Sequence, residues 1–177
     1  MAVIRNNIRD AGMEEQFLSW IQEHGNRLQR ICYFYSWNSE ERKDLYQEVL
    51  IQIWKSMPRF REESSPGTWM YRIAVNTALM HRRTMGRKKE VVGLDHVEEQ
   101  IQAPTIESSM DQEQRMQWLK SAIKDLKDLD KTILLLYFEE IPYDQIATIT
   151  GISVSNVGVR LTRIRKQLSV MINSPKS

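Results

Sequence analysis

The chain has 177 residues, 41% of them hydrophobic and 27% charged, with only 7 Gly and 5 Pro, which excludes collagen-like, low-complexity and disordered classes and allows one domain or two small ones. Its longest unbroken apolar run, Ile133 to Phe138, is six residues, far below the roughly 20 that span a bilayer. The single Cys32 can neither staple a secreted fold nor build a zinc site.

The net charge of +2 conceals three segments of different sign. Residues 1–89 are basic by five charges, residues 90–114 carry seven acids and no base, and residues 115–177 are basic by four. Within the basic blocks, Met70 to Lys89 and Gln145 to Ser177 contain no acid at all. Either stretch alone reads as a solvated face; two of them on predicted helices point towards a polyanionic partner.

In chain order, Met1 to Asp10 holds Arg5 and Arg9 but no apolar leader core, so a soluble, cytoplasmic chain without membrane insertion is expected. From Glu41 to Met57, Leu45, Val49 and Ile53 make one i, i+4 stripe, and Tyr46, Leu50 and Trp54 a second beside it, which predicts a helix with a wide apolar face. Ser39 offers the N-cap and Pro58 the stop. The polar stretch Arg61 to Gly67 then reads as a loop, with Ser65 capping the next helix and Pro66 in its first position.

That helix is predicted from Thr68 to about Arg87, with Met70, Ile73, Ala74 and Thr77 on its packing face. Trp69, Arg72, Asn76 and Arg83 stand 3, 4 and 7 residues apart and share another face. An ordinary amphipathic helix with a stray surface Trp has this pattern; so does a base-stacking, phosphate-contacting surface. From Glu90 to Gln112 the periodicity lapses and acids collect, as in a linker. Helical pattern resumes at Glu113 with Leu119, Ala122, Ile123 and Leu126, and Asp130 reads as a cap for the run that follows.

Tyr143 to Lys166 carries the strongest local signal. A helix-turn-helix needs a small residue where its helices cross and a turn residue tolerant of positive φ; Ala147 and Gly151 stand four apart, as those roles require. Ile146, Ile152 and Val157 supply buried contacts, and Ser153 caps the second helix. Ser155, Asn156, Arg160 and Arg163 then face outward ahead of Lys166, with donors suited to base edges and phosphates.

These residues together resemble a known family. DLYQEVLIQIW from Asp44, Phe60, TWMYRIAVN from Thr68, YDQIATITGIS and VRLTRIRKQL are similar, in order and spacing, to the extracytoplasmic-function (ECF) class of the sigma-70 family. The resemblance implies an all-α protein of two small helical domains, region 2 over 13–89 and a region 4 helix-turn-helix over 113–173, joined by an acidic linker over 90–112. It implies a factor that directs RNA polymerase to promoters, with no catalytic residues, metal or cofactor. By similarity, Asp44, Gln47 and Glu48 meet the clamp helices of the largest polymerase subunit, and region 4 meets the flap of the second largest. Phe60 and Asn76 would sit at a pocket for a flipped minus-10 base, with Trp69, Arg72, Arg82 and Arg83 near the strand. Ser155, Asn156, Arg160, Arg163 and Lys166 would meet the minus-35 element. An anti-sigma protein is expected because many members are held inactive by one.

The sequence departs from the family pattern at Gly158, where a Lys or Arg is common, at Gln145, and at Arg42 and Lys43 before the DLYQE-like motif. A two-domain helix-turn-helix repressor or activator would account for residues 143–166 but not for the Trp69 face or the acidic strip. An enzyme is not indicated, since His24, His81 and His96 are scattered and no phosphate-binding Gly loop exists.

Overall fold

The computed structural model describes residues 2–36, 38–92, 123 and 126–173, and those residues are helical with short turns between. The chain divides into two compact units, Met1–Met85 and Gly86–Ser177. The boundaries of the expected linker therefore bear only partly on the described residues: Glu90 to Val92 continue a helix, and 93–112 lie outside.

Three helices build the first unit: α1 (Ala2–Tyr35), α2 (Ser39–Ser56) and α3 (Pro66–Val92) as far as Met85. The i, i+4 stripe of α2 is its core side, with Leu45, Val49 and Ile53 all fully buried. Leu28, Ile31 and Cys32 of α1 and Met70, Ala74 and Ala78 of α3 are buried as well. Each buried Leu, Ile, Val or Met among them contributes about 1.5–3 kcal/mol of apolar burial, so this layer holds the three helices as one body. Polar and aromatic contacts tie them in pairs: Phe17 on Trp54 and Arg42 over Tyr33 join α1 to α2, and His24 to Tyr71 joins α1 to α3.

Three local expectations are corrected here. The N-cap of α2 is Asn38, whose Oδ1 accepts from the Glu41 backbone N–H at 2.8 Å, while Ser39 is already helical; the carboxamide one residue earlier has the better reach. The second α2 stripe, Tyr46, Leu50 and Trp54, is only half-buried. The packing face of α3 is rotated from the expected one: Tyr71, Val75 and Ala78 are buried with Met70 and Ala74, while Ile73 and Thr77 are half-buried. Tyr71 turns the helix inward because its hydroxyl is engaged by His24 and by Arg27, which donates from Nη1 at 3.3 Å.

The second unit contains α4 (Asp128–Phe138), α5 (Tyr143–Thr150) and α6 (Val154–Asn173). Thr132 to Leu136 of α4 are buried without a break, as expected of a helix enclosed by its neighbours. Ile146, Ala147 and Ile149 of α5 and Val157, Leu161, Ile164 and Leu168 of α6 close on it. The resumed pattern from Glu113 is reached only at Ile123 and Leu126, both buried; Leu119 and Ala122 lie outside the described residues. Asp130 is not the cap of α4. That position belongs to Lys127, and Asp130 sits within the first turn.

Candidate nucleic-acid and polymerase interfaces

On α2 the residues opposite the buried stripe are free to meet a partner. Asp44, Gln47 and Glu48 are all exposed, and Glu48 accepts from Gln52 Nε2 at 2.6 Å, which orders the carboxylate along the helix. Ile51, 44% exposed, lies among them, about 20° round the helix from Asp44. It was hidden in the sequence because its apolar neighbours Leu50 and Ile53 made the run read as core. The face is therefore acidic and amide with an apolar centre.

Two of the minus-10 candidates, Phe60 and Trp69, come together where α1, α3 and the segment after α2 meet. α2 gives way to a 3-10 turn, Met57–Arg59, closed by the Phe60 N–H donating to the Met57 carbonyl at 3.0 Å. The loop that follows passes through Glu62 at φ 57°, and α3 starts at Pro66 with Ser65 Oγ accepting from the Thr68 N–H at 3.2 Å. This path brings the Phe60 ring within 5.0 Å of Trp69 and 5.2 Å of Trp20, whose own centroids are 5.9 Å apart. Beside the cluster opens a groove of about 580 Å³ lined by Pro58, Arg59, Phe60, Arg61 and Glu63.

Trp69 is therefore not the freely exposed aromatic that helical spacing suggested. It is half-buried, and its ring packs at a tilt of 54° on the Phe60 ring, which lines the groove. Trp20, buried in α1, is the member sequence reasoning missed, because a lone Trp some 40 residues upstream carries no local signal. Arg72, Asn76 and Arg83 are exposed on the Trp69 side of α3, and Met80, 67% exposed, stands among them. Arg82 is half-buried and has a partner of its own; it lies about 100° from Arg83 on the helix, off that face.

Two features hold the start of α3. A Cβ placed on Gly67 would come within 2.8 Å of the His24 ring, so the glycine is what lets α1 approach. Burial pushes the His24 pKa down, opposed by Glu23 and reinforced by Arg27, and a neutral Nδ1 can accept from the Tyr71 hydroxyl 3.0 Å away. Burial also pushes the Cys32 thiol up to about 12, which leaves it an inert core group.

The helix-turn-helix forms as its spacing requires. Gly151 has φ 73°, and its N–H donates to the Ala147 carbonyl at 2.8 Å, which Ile152 N also reaches at 3.2 Å. Ser153 Oγ accepts from the Asn156 N–H at 3.3 Å and caps α6. Val157 is buried and Ile152 half-buried. Ser155, Asn156, Arg163 and Lys166 are exposed. Arg160 differs: its Nη1 lies 2.6 Å from Asp130 Oδ1 of α4, in a pair whose side chains are 26% and 15% exposed, and its Nε is buried with no hydrogen-bond partner. It fastens α6 to α4, a role invisible in the sequence because its partner stands 30 residues away. A Cβ on Gly158 would meet only Tyr143, at 3.9 Å, so packing does not require this glycine.

A helical unit with an aromatic groove and a basic face, followed by a helix-turn-helix, is an arrangement suited to a nucleic-acid-binding protein. Comparison with known proteins makes this specific. Residues 20–88 match the family model of sigma-70 region 2, and residues 116–168 that of sigma-70 region 4. The chain is 30% identical over 142 residues to the RNA polymerase sigma-H factor of Pseudomonas aeruginosa, covering 74% of this chain and 72% of that one. To the ECF sigma-E factor of Escherichia coli it is 31% identical over 136 residues, covering 71% and 70%. The fold is similar to that of the sigma factor RpoE of Bartonella quintana, solved with the anti-sigma factor NepR, at a TM-score of 0.72 and 21% identity over 92% of this chain and 99% of that one. The chain belongs to the sigma-70 family, in its ECF class. Its function is to direct promoter-specific initiation of transcription, and sigma factors are not themselves enzymes. A helix-turn-helix regulator would leave the region 2 match without a role.

Proposed function

We propose that the first unit docks on core RNA polymerase through the exposed face of α2 and captures an extruded minus-10 base at the Phe60 groove, while α6 reads the minus-35 element. The groove beside three packed aromatic rings carries this reading. A base in duplex hides its Watson–Crick edge and costs a few kcal/mol to extrude; stacking on an aromatic ring returns roughly 1–3 kcal/mol. Trp20 and Trp69 hold Phe60 at the groove wall before any base arrives, so that stacking energy is not spent on ordering the ring. Arg72, Asn76 and Arg83 supply donors along the adjoining strand, with Trp69 behind them.

Acidic and amide groups on α2, Asp44, Gln47 and Glu48, suit a basic helical partner such as the polymerase clamp, and Ile51 gives the contact an apolar centre. In the second unit Asn156 and Arg163 face base edges, Ser155 and Lys166 face phosphates, and Arg160 supports the helix from behind. The second unit also meets the polymerase flap, the protein works in the cytoplasm, and an anti-sigma protein holds it inactive. The family and the complex of the Bartonella protein support that last partner. Permanganate footprinting of holoenzyme on a cognate promoter tests the groove: Phe60→Ala and Asn76→Ala should bind core polymerase normally and leave minus-10 thymines unreactive. Normal opening by both would overturn the assignment.

A further inference from the structure

Val159 is 57% exposed in the middle of a helix that has every other means of facing water. The buried stripe of α6, Val157, Leu161, Ile164 and Leu168, defines its inner side. At 100° per residue, Val159 lies about 170° round from the centre of that stripe, so it stands at the crest of the outer face and would enter a groove deepest. Ser155 and Arg163 lie one turn to either side and Asn156 three residues before, all exposed. The next residue, Arg160, is turned away and held by Asp130; the preceding one, Gly158, has no side chain. A β-branched residue loses rotamer freedom in a helix, and here burial within the chain does not repay it.

We infer that Val159 is a specificity-determining residue that packs on the 5-methyl group of a thymine in the minus-35 element. The inference rests on the reading of α6 as the recognition helix. In the major groove thymine alone presents a methyl group, and apolar side chains distinguish it by contact. Polar neighbours at i−4, i−3 and i+4 position the helix, and the valine adds the one chemistry they lack. Val154, a second exposed valine of α6, stands about 140° away round the helix and serves as a control.

The test uses holoenzyme assembled from core polymerase and the full chain, on a promoter mapped from transcript starts. Each thymine of the minus-35 element, on either strand, is replaced in turn by deoxyuridine, which lacks only the methyl group. One replacement should weaken competition binding by about fourfold, the equivalent of roughly 0.8 kcal/mol for one methyl group removed from water. Val159→Ala should abolish that single sensitivity and leave the others unchanged; Val154→Ala should retain it. Identical uridine profiles for wild type and Val159→Ala, or an element with no sensitive thymine, would overturn the inference while promoter-specific initiation persisted. Weaker core binding by Val159→Ala with an unchanged uridine profile would assign the residue to the polymerase instead. A holoenzyme that does not initiate specifically at all would overturn the parent reading.

Discussion

The two units place their proposed nucleic-acid contacts by opposite means. In the second, the proposed contact residues Ser155 to Lys166 sit on one helix, within about three turns of one another, and the turn before them is set by Ala147, Gly151 and Ser153. In the first, the Phe60 ring is packed by Trp20 and Trp69, which reach it from two other elements. A local site tolerates a change in one residue at the cost of one contact. An assembled site couples its contacts to the fold, and variants in each unit should separate these behaviours.

The largest effect is expected at the aromatic cluster. Trp20→Ala removes a buried ring and should cost about 3–5 kcal/mol of stability, lowering the melting temperature of the first unit and promoter opening together. Phe60→Ala, half-buried, should lose opening by an order of magnitude or more with most of the stability retained. Equal losses of stability in thermal melts of the two variants would show that the cluster is core only and not a base platform.

Gly67→Ala should come next. Its Cβ meets the His24 ring, and overpacking of this kind costs about 1–3 kcal/mol. Adding His24→Ala should recover much of the loss, which chemical denaturation of the single and double variants measures. Additivity of the two would mean that the strain lies elsewhere.

In the second unit, Arg160→Ala and Asp130→Ala should each cost about 1–3 kcal/mol and leave base preference at every promoter position unchanged. Arg163→Ala should alter preference at one position, and Lys166→Ala should lower the salt slope of DNA binding by about 1 with all sequences affected alike. A promoter library read with the four variants decides this; a preference change in Arg160→Ala would return that residue to the reading face. Gly158→Ala should stabilise the unit by up to about 1 kcal/mol, since space is open there.

The smallest effect concerns pH. His24 is held below its ordinary pKa of 6.5 by burial, so below about 6.5 the unfolded chain binds the proton and the folded chain resists it. Stability is whole above that pH and falls as the solution is acidified towards the folded value. His24→Gln should flatten the fall between pH 7.5 and 5.5 in denaturant titrations, and an unchanged slope would exclude His24 as its source.

The sequence made the helix-turn-helix legible because its signals are local: a capping Ser, a left-handed Gly and a small residue at the crossing all lie within one short span. It made the α2 core stripe legible for the same reason. What escaped was long-range. Trp20 and the Asp130–Arg160 pair join residues tens of positions apart, and the α3 packing face turned on the Tyr71 hydroxyl, which apolar periodicity scores as a mere aromatic. Exposed Ile51, Met80 and Val159 escaped for the converse reason, since hydrophobic pattern assigns such residues to a core.

Runoff transcription with purified core polymerase tests the central claim most directly. On a template carrying the cognate promoter, the full chain should produce a transcript from one start site, core polymerase alone should produce none, and Phe60→Ala should restore little of it unless the minus-10 region is supplied already melted. No start-site-specific transcript with the wild-type chain, or full activity of Phe60→Ala on duplex promoter, would contradict the account.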